Sequence, residues 1–227
     1  MLPPHTALGT VAAWCDADFS EAAPGRLWKA SGDLQDSFYQ FTSWALAEDF
    51  AFDYPVRAGD VNVSSIFEDG QYVSISPDEL IYNCFCGIPM GWSWALWAIH
   101  GLVSHVLRTA SDSFYGSLVE DRRAVSFLQP GRPLAGAYVD NFLIIATSKA
   151  DAMFLYLAVV DRFAKLGIKL HELRPPCDDW DFEYLGVVFS EGGRVVRPKR
   201  SRAWRLYRSL QYLGSLPQVH GKMLRVV

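Results

Sequence analysis

Apolar positions fall into a few strongly patterned stretches separated by polar connections. Residues 135–138 and 142–146 read as two short apolar strands, with Asp140 and Asn141 at the turn between them. The next segment, "SKADAMFLYLAVVDRFAKLG", has helical periodicity. Ser148 and Asp151 suit a capping box, Phe154, Leu157, Val160 and Phe163 make an apolar stripe, and Gly167 ends the helix. A second helix is predicted over 92–108, with Leu96, Ile99, Val103 and Val106 on one face. Residues 25–34 end as a strand, 36–50 turn helical, and "FAFDYPV" is extended. Asp69-Gly70 marks a hairpin over 62–76, 115–133 is an irregular polar connection, "FEYLGVVFS" (182–190) is a buried strand, and 201–214 is a basic amphipathic helix.

The core order is therefore strand (to Asp33), helix (92–108), hairpin (135–146), helix (149–166) and strand (183–190). That β-α-ββ-α-β order predicts an α+β fold, a ferredoxin-like antiparallel sheet with both helices on one face. It would bring Asp33, at the end of the first strand, beside Asp140 at the hairpin turn.

Composition supports a packed domain. Half of the 227 residues are hydrophobic and 14% are aromatic, which excludes a disordered chain. No apolar run reaches the roughly 18–20 residues of a membrane span, so no membrane partner is expected. The N-terminal "MLPPHTALG" lacks the basic and apolar regions of a signal peptide. Cys15, Cys84, Cys86 and Cys177 follow no disulfide framework, which fits an intracellular protein, with cytoplasm and nucleus not distinguished. Cys84-Phe-Cys86 has no second close pair and is a poor zinc site. The net charge of -4 hides an asymmetry: 194–227 holds nine basic residues and no acidic one, against 12 basic and 25 acidic elsewhere. A positive tail on an acidic body can attract a polyanion locally.

Two aspartates a few ångströms apart repel unless a cation sits between them. Mg²⁺ suits such a site, since it takes one or two carboxylates and completes its shell with water and substrate phosphates.

The segments "GDLQDSFYQF" (32–41), "GIPMGWSWA" (87–95), "YVDN" (138–141), "KLGIKLHE" (165–172) and "FEYLGVVF" (182–189) resemble, in order and spacing, the palm motifs of reverse transcriptases, those of retrotransposons above all. The resemblance spans roughly residues 20–190. It implies template-directed nucleotidyl transfer with two Mg²⁺ or Mn²⁺ ions, a primer-template and deoxynucleoside triphosphates as partners. By position, Asp33 and Asp140 would bind metal together with the Leu34 carbonyl, and Asn141 would occupy the adjacent catalytic position. Phe38, with Tyr39 beside it, would be the steric gate against a 2′-hydroxyl, and Pro89, Met90 and Gly91 would approach the incoming nucleotide. Tyr138, Tyr184, Leu185, Gly186, Arg202, Arg205 and Arg208 would face primer and template. Lys169 or His171 would be the proton donor.

Three departures accompany the resemblance. Asn141 stands where a second aspartate is expected, Met90 replaces a polar residue, and the basic fingers hairpin is missing from residues 1–32, which offer only Arg26 and Lys29. The implied organisation is an N-terminal remnant (1–26), a palm (27–192) with a fingers-type insertion at about 50–87, and a basic helix leading into a thumb begun by "GKML" (193–227). The chain looks like a palm excised from a longer polymerase, and inert by itself. The alternative is a decayed palm remnant without catalysis, or a nucleic-acid-binding module; a nucleotidyl cyclase is disfavoured by the gate motif and "FEYLGVVF". Oligomeric state is not legible.

Overall fold

The computed structural model describes residues 2–20, 27–47, 49–68, 70–110, 117–178, 181–216 and 218. The "GKML" segment, Asp69 and Arg26 lie outside the described residues. In chain order the elements begin with Val11–Cys15 (α1), Trp28–Leu34 (β1), Val56–Arg57 (β2), Ser65–Glu68 (β3), Gln71–Ser74 (β4), Leu80–Ile81 (β5) and Ser93–Thr109 (α2). They continue with Ser117–Leu118 (β6), Leu134–Tyr138 (β7), Asn141–Ala146 (β8), Lys149–Lys165 (α3) and Leu170–Cys177 (β9). Phe182–Tyr184 (β10), Val187–Ser190 (β11), Val195–Pro198 (β12) and Arg200–Ser215 (α4) complete the order. The protein is an α+β fold. It divides into a small unit, Met1–Pro3 with Asp36–Leu96, and a large one, Pro4–Gln35 with Trp97–Val227.

The large unit is built on a five-stranded sheet of order β6-β7-β8-β1-β9. β1 runs antiparallel to both β8 and β9, β7 and β8 form a hairpin, and only β6 joins in parallel. Alternation along β8 divides its residues between two cores. Phe142 stacks on Phe163 of α3 with ring centroids 6.1 Å apart. On the opposite face, Leu143 and Ile145 join Trp14, Leu134, Phe182 and Phe189. β8 is thus apolar on both faces, which is why it reads as a continuous apolar run.

Three features differ from the sequence expectations. The strand that closes the sheet beside β1 is Leu170–Cys177, not 183–190. Its "HELRPP" disguises it, but β9 is an edge strand with two register shifts, where prolines and charges are tolerated. Residues 182–190 form a hairpin instead, part of a separate β10-β11-β12 sheet. Leu185 (φ +49) and Gly186 (φ +80) make its two-residue turn, left-handed at both positions as the twist of a tight hairpin requires.

Second, the core face of α3 is Ala152, Leu155, Tyr156, Val159 and Phe163, whereas Phe154 and Leu157 are exposed. The helix is apolar on two sides, so periodicity alone picks the wrong stripe apart from Phe163. Its ends are as expected: Ser148 Oγ accepts the Asp151 amide at 3.1 Å, and Gly167 takes φ +71. In α2 the buried positions are Ala95, Ile99, Val103, Val106 and Leu107, with Leu96 exposed.

Third, 36–50 is not an α-helix. Its described residues hold turns and one 3₁₀ segment, Trp44–Leu46, whose Ser43 supplies no side-chain cap. Within the small unit, β3 and β4 form the expected hairpin, with Phe67 opposite Tyr72 and Gly70 at φ +85. Ser117–Leu118 contributes a short strand within the expected irregular connection.

Candidate active site at the end of the central sheet

The register of β1 against β8 sets Asp33 directly opposite Asn141. The turn itself is Val139-Asp140, so Asn141 is the first residue of β8, paired also with Tyr138, and not a turn residue. Val139 adopts φ +58, a costly conformation for a β-branched side chain. Leu34 donates its amide to the Asp140 carbonyl at 3.2 Å, tying the end of β1 to the turn. The two aspartates are held at one sheet end by backbone bonds, as the element order predicts. The Leu34 side chain is buried.

Asp33 is the electrostatic focus. Its Oδ1 is buried and accepts no hydrogen bond among the described residues, while Oδ2 lies 3.6 Å from His171 Nε2. Burial foremost, then the Asp140 carboxylate and more weakly that of Glu172, push the Asp33 carboxyl up to about 6, against the pull of His171 and of a hydrogen bond from the Leu34 amide. Asn141 donates from Nδ2 to Asp140 Oδ1 at 3.1 Å. The amide thereby supplies a donor where a second carboxylate would have brought charge.

On the face of the sheet opposite α3, Asp33 and Asn141 edge a cavity of about 270 Å³. Glu172, Arg174, Glu183 and Lys199 line it too, and none of these four is recognisable from the sequence pattern. Glu172 and Arg174 reach it because β9 bulges: Asp33 pairs with His171 but Ser31 with Arg174, and Glu172 takes φ +50 in the extra step. Lys199 is paired with Glu183 at 2.9 Å. Tyr184 and Leu185 form part of the same wall. Burial raises the Tyr184 hydroxyl above its usual range.

Arg202 does something other than face solvent. Its Nη1 donates to the Leu185 carbonyl at 3.1 Å, and a Cβ added to Gly186 would lie 2.1 Å from its Cζ. Lys199 donates its amide to the Gly186 carbonyl at 3.1 Å. The start of α4 is thus clamped to the hairpin turn. Arg205 and Arg208 are exposed. Lys169 accepts the Gln35 amide at its carbonyl, 3.0 Å away.

The remaining sequence-predicted residues belong to the small unit. Phe38 is half-buried and its carbonyl accepts the Ile88 amide at 3.2 Å. Tyr39 donates to Met90 Sδ at 3.6 Å and meets Phe85 edge-on. Pro89 accepts the Trp92 amide at its carbonyl, and Gly91 takes φ +92, open to glycine and strained for other residues. These five positions therefore form one loop system inside that unit.

Among the described residues, no group of three or more His, Cys, Asp or Glu side chains converges to hold a metal ion. Two carboxylates do meet, and the buried Asp33 oxygen without a donor is the uncompensated group that a cation would satisfy.

No known sequence family matches this chain, and no curated protein sequence does either. Solved structures do. The whole chain superimposes on 30% of the chain of a foamy viral protease-reverse transcriptase in complex with double-stranded DNA, with a TM-score of 0.55 and 10% identity. Over 79% of its length it also matches 36% of the chain of an apo telomerase from Candida tropicalis, with a TM-score of 0.41 and 12% identity. The chain thus spans about a third of each of these proteins. The first likeness establishes the fold as one shared with part of a reverse transcriptase. Among the described residues, no helix is long and apolar enough to cross a membrane.

Proposed function

We propose that the chain is a reverse-transcriptase-like palm, built to add deoxynucleotides to a primer on a nucleic-acid template within a longer retroelement polyprotein. The strand order β7-β8-β1-β9 is the one a ferredoxin-like palm produces. The observation that carries the reading is Asp33: a buried, unpaired carboxylate oxygen at a sheet end, with its carboxyl pushed up by burial and then by the neighbouring Asp140.

Asp33 and Asp140 are the residues that would hold Mg²⁺ or Mn²⁺, with the Leu34 carbonyl as a third oxygen. When bound there, the ion supplies charge neutralisation and activation of a primer hydroxyl. The Asp33 carboxyl is pushed up to about 6, His171 Nε2 lies 3.6 Å from its Oδ2, and Tyr184 and Leu185 shape the wall where a primer end would rest. Phe38, Tyr39 and the Pro89–Gly91 loop would contact the nucleotide. Arg205 and Arg208 would contact phosphates.

Asn141 specifically favours the second reading, a palm that binds metal and nucleic acid without turnover. Its amide already satisfies one Asp140 oxygen, and the site has two carboxylates where the family has three. A Mn²⁺ titration followed by electron paramagnetic resonance tests the shared premise. Wild type should bind Mn²⁺, and the Asp33→Ala, Asp140→Ala double variant should lose that binding. Superimposable curves would remove the metal site and both metal-dependent readings with it.

A further inference from the structure

The small unit lacks a core of its own. Of the described residues from Asp36 to Leu96, only Ser37, Ala58, Gly87 and Ala95 are buried. The large apolar side chains stand in solvent instead: Trp44 is 85% exposed, Tyr54 83%, Tyr72 78% and Phe67 66%. Fixing a backbone costs about 1–2 kcal/mol per residue, which buried apolar surface normally offsets. An ordered unit that exposes its rings in this way has the character of one half of an interface.

Charge narrows the partner. Over 36–96 the sequence holds nine acidic residues and one basic one, Arg57, a net charge of 1 - 9 = -8. Outside the Phe38–Tyr39 and Pro89–Gly91 loops such a surface repels a phosphate backbone, so a nucleic acid is the wrong occupant there. The partner must be cationic and apolar together.

The same chain carries that complement. α4 has four arginines, no acidic residue and a single buried residue, Leu213. Trp204, Tyr207 and Leu210 are each about half exposed between the arginines. The two surfaces are opposite in charge, and both expose aromatic rings. We propose that the acidic, aromatic surface of Asp36–Leu96 is a docking site for α4 of a second copy of this chain. The proposal does not rest on the nucleotidyl-transfer reading. A nucleic acid held by α4 would compete with the second copy, not assist it.

Sedimentation equilibrium of the full chain without nucleic acid tests this. Self-association should be at least ten-fold weaker at about 500 mM salt than at about 50 mM, because exposed charges are screened. Arg205→Glu with Arg208→Glu should weaken it at least ten-fold, and so should Asp53→Arg with Glu68→Arg. Mixing these two double variants should restore association, since the unaltered α4 of one then meets the unaltered acidic unit of the other; restoration also shows that both variants fold. A monomeric wild type at low salt overturns the proposal, as does undiminished self-association of either variant alone. A monomeric wild type whose α4 binds an oligonucleotide assigns that face to nucleic acid and overturns it equally, leaving the polymerase reading intact.

Discussion

Asp33 and Asn141 stand opposite each other on neighbouring antiparallel strands, and the Asn141 amide donates to the next carboxylate along, Asp140. The pair puts one carboxylate with a buried oxygen and one neutral donor side by side at the sheet end. Electrostatics at this sheet end are therefore set by Asp33 against Asp140, His171 and, more weakly, Glu172.

The first prediction concerns pH. The folded Asp33 carboxyl lies at about 6, above the ordinary carboxylate value, so the native state holds this proton more tightly than the unfolded chain. The resulting stabilisation is complete below the unfolded value near pH 4 and is lost as pH rises through about 6. Asp33→Asn should remove that loss. Its melting temperature should exceed that of wild type at pH 7.5 by more than it does at pH 4. An equal difference at the two pH values would show that Asp33 is not perturbed.

Divalent cation should act on the same group with opposite sign. Mn²⁺ favours the ionised carboxyl, so it should raise the melting temperature of wild type at pH 7.5. It should do so less at pH 5, and hardly at all in Asp33→Asn. A shift of equal size in the variant would place the cation elsewhere.

Asn141→Asp separates folding from metal binding. Without metal, the substitution replaces the donor on Asp140 Oδ1 by a like charge, at a cost of about 1–3 kcal/mol. With Mn²⁺ present the added carboxylate should tighten binding by ten-fold or more, equivalent to about 1.4 kcal/mol. Thermal unfolding with and without Mn²⁺ reads both effects. An unchanged affinity would mean that position 141 does not face the ion.

How much of this was legible in the sequence follows from where backbone pattern and side-chain chemistry coincide. Asp33 and Asp140 lie together, as the element order suggested, because the continuous apolar runs of the hairpin and the locally capped helix after it mark the elements around Asp140. The capping of α3 was legible because Ser148 and Asp151 act locally. β9 was missed because "HELRPP" has neither alternation nor β propensity, and an edge strand needs neither. Glu172 and Arg174 were missed for a related reason: the bulge breaks the alternation that would assign them a face. Asn141 was assigned to the turn because asparagine favours turns, whereas the turn uses Val139 against its intrinsic preference. The exposed rings of the small unit look like core residues in a sequence; only burial shows that they are not.

The clamp between α4 and the hairpin predicts a non-additive pair. Gly186→Ala places a methyl group at φ +80 against the Arg202 guanidinium and should destabilise by about 1–3 kcal/mol. Arg202→Ala removes the hydrogen bond to the Leu185 carbonyl and clears that space. In its background, Gly186→Ala should cost less, by about 0.5–1 kcal/mol in a double-mutant cycle. Strict additivity in urea denaturation would show that guanidinium and turn are not in contact.

The same clamp divides the arginines of α4 by task. Sequence reasoning assigns Arg202, Arg205 and Arg208 alike to primer and template, but Arg202 already spends a donor on the Leu185 carbonyl. Arg205 and Arg208 are exposed and make no ion pair among those found for the described residues. On duplex DNA each neutralised phosphate contributes roughly -0.9 to the slope of log affinity against log salt. Replacing both Arg205 and Arg208 by Gln should flatten that slope by up to about two units. Arg202→Gln should leave the slope unchanged while lowering the urea midpoint, since it loosens the hairpin without removing a phosphate contact. Fluorescence anisotropy with a labelled duplex, at chain concentrations too low for self-association, measures all three slopes. A flattening in Arg202→Gln would show that its guanidinium leaves Leu185 to meet the backbone of the nucleic acid. An unchanged slope in the Arg205, Arg208 variant would place the phosphate contacts outside α4.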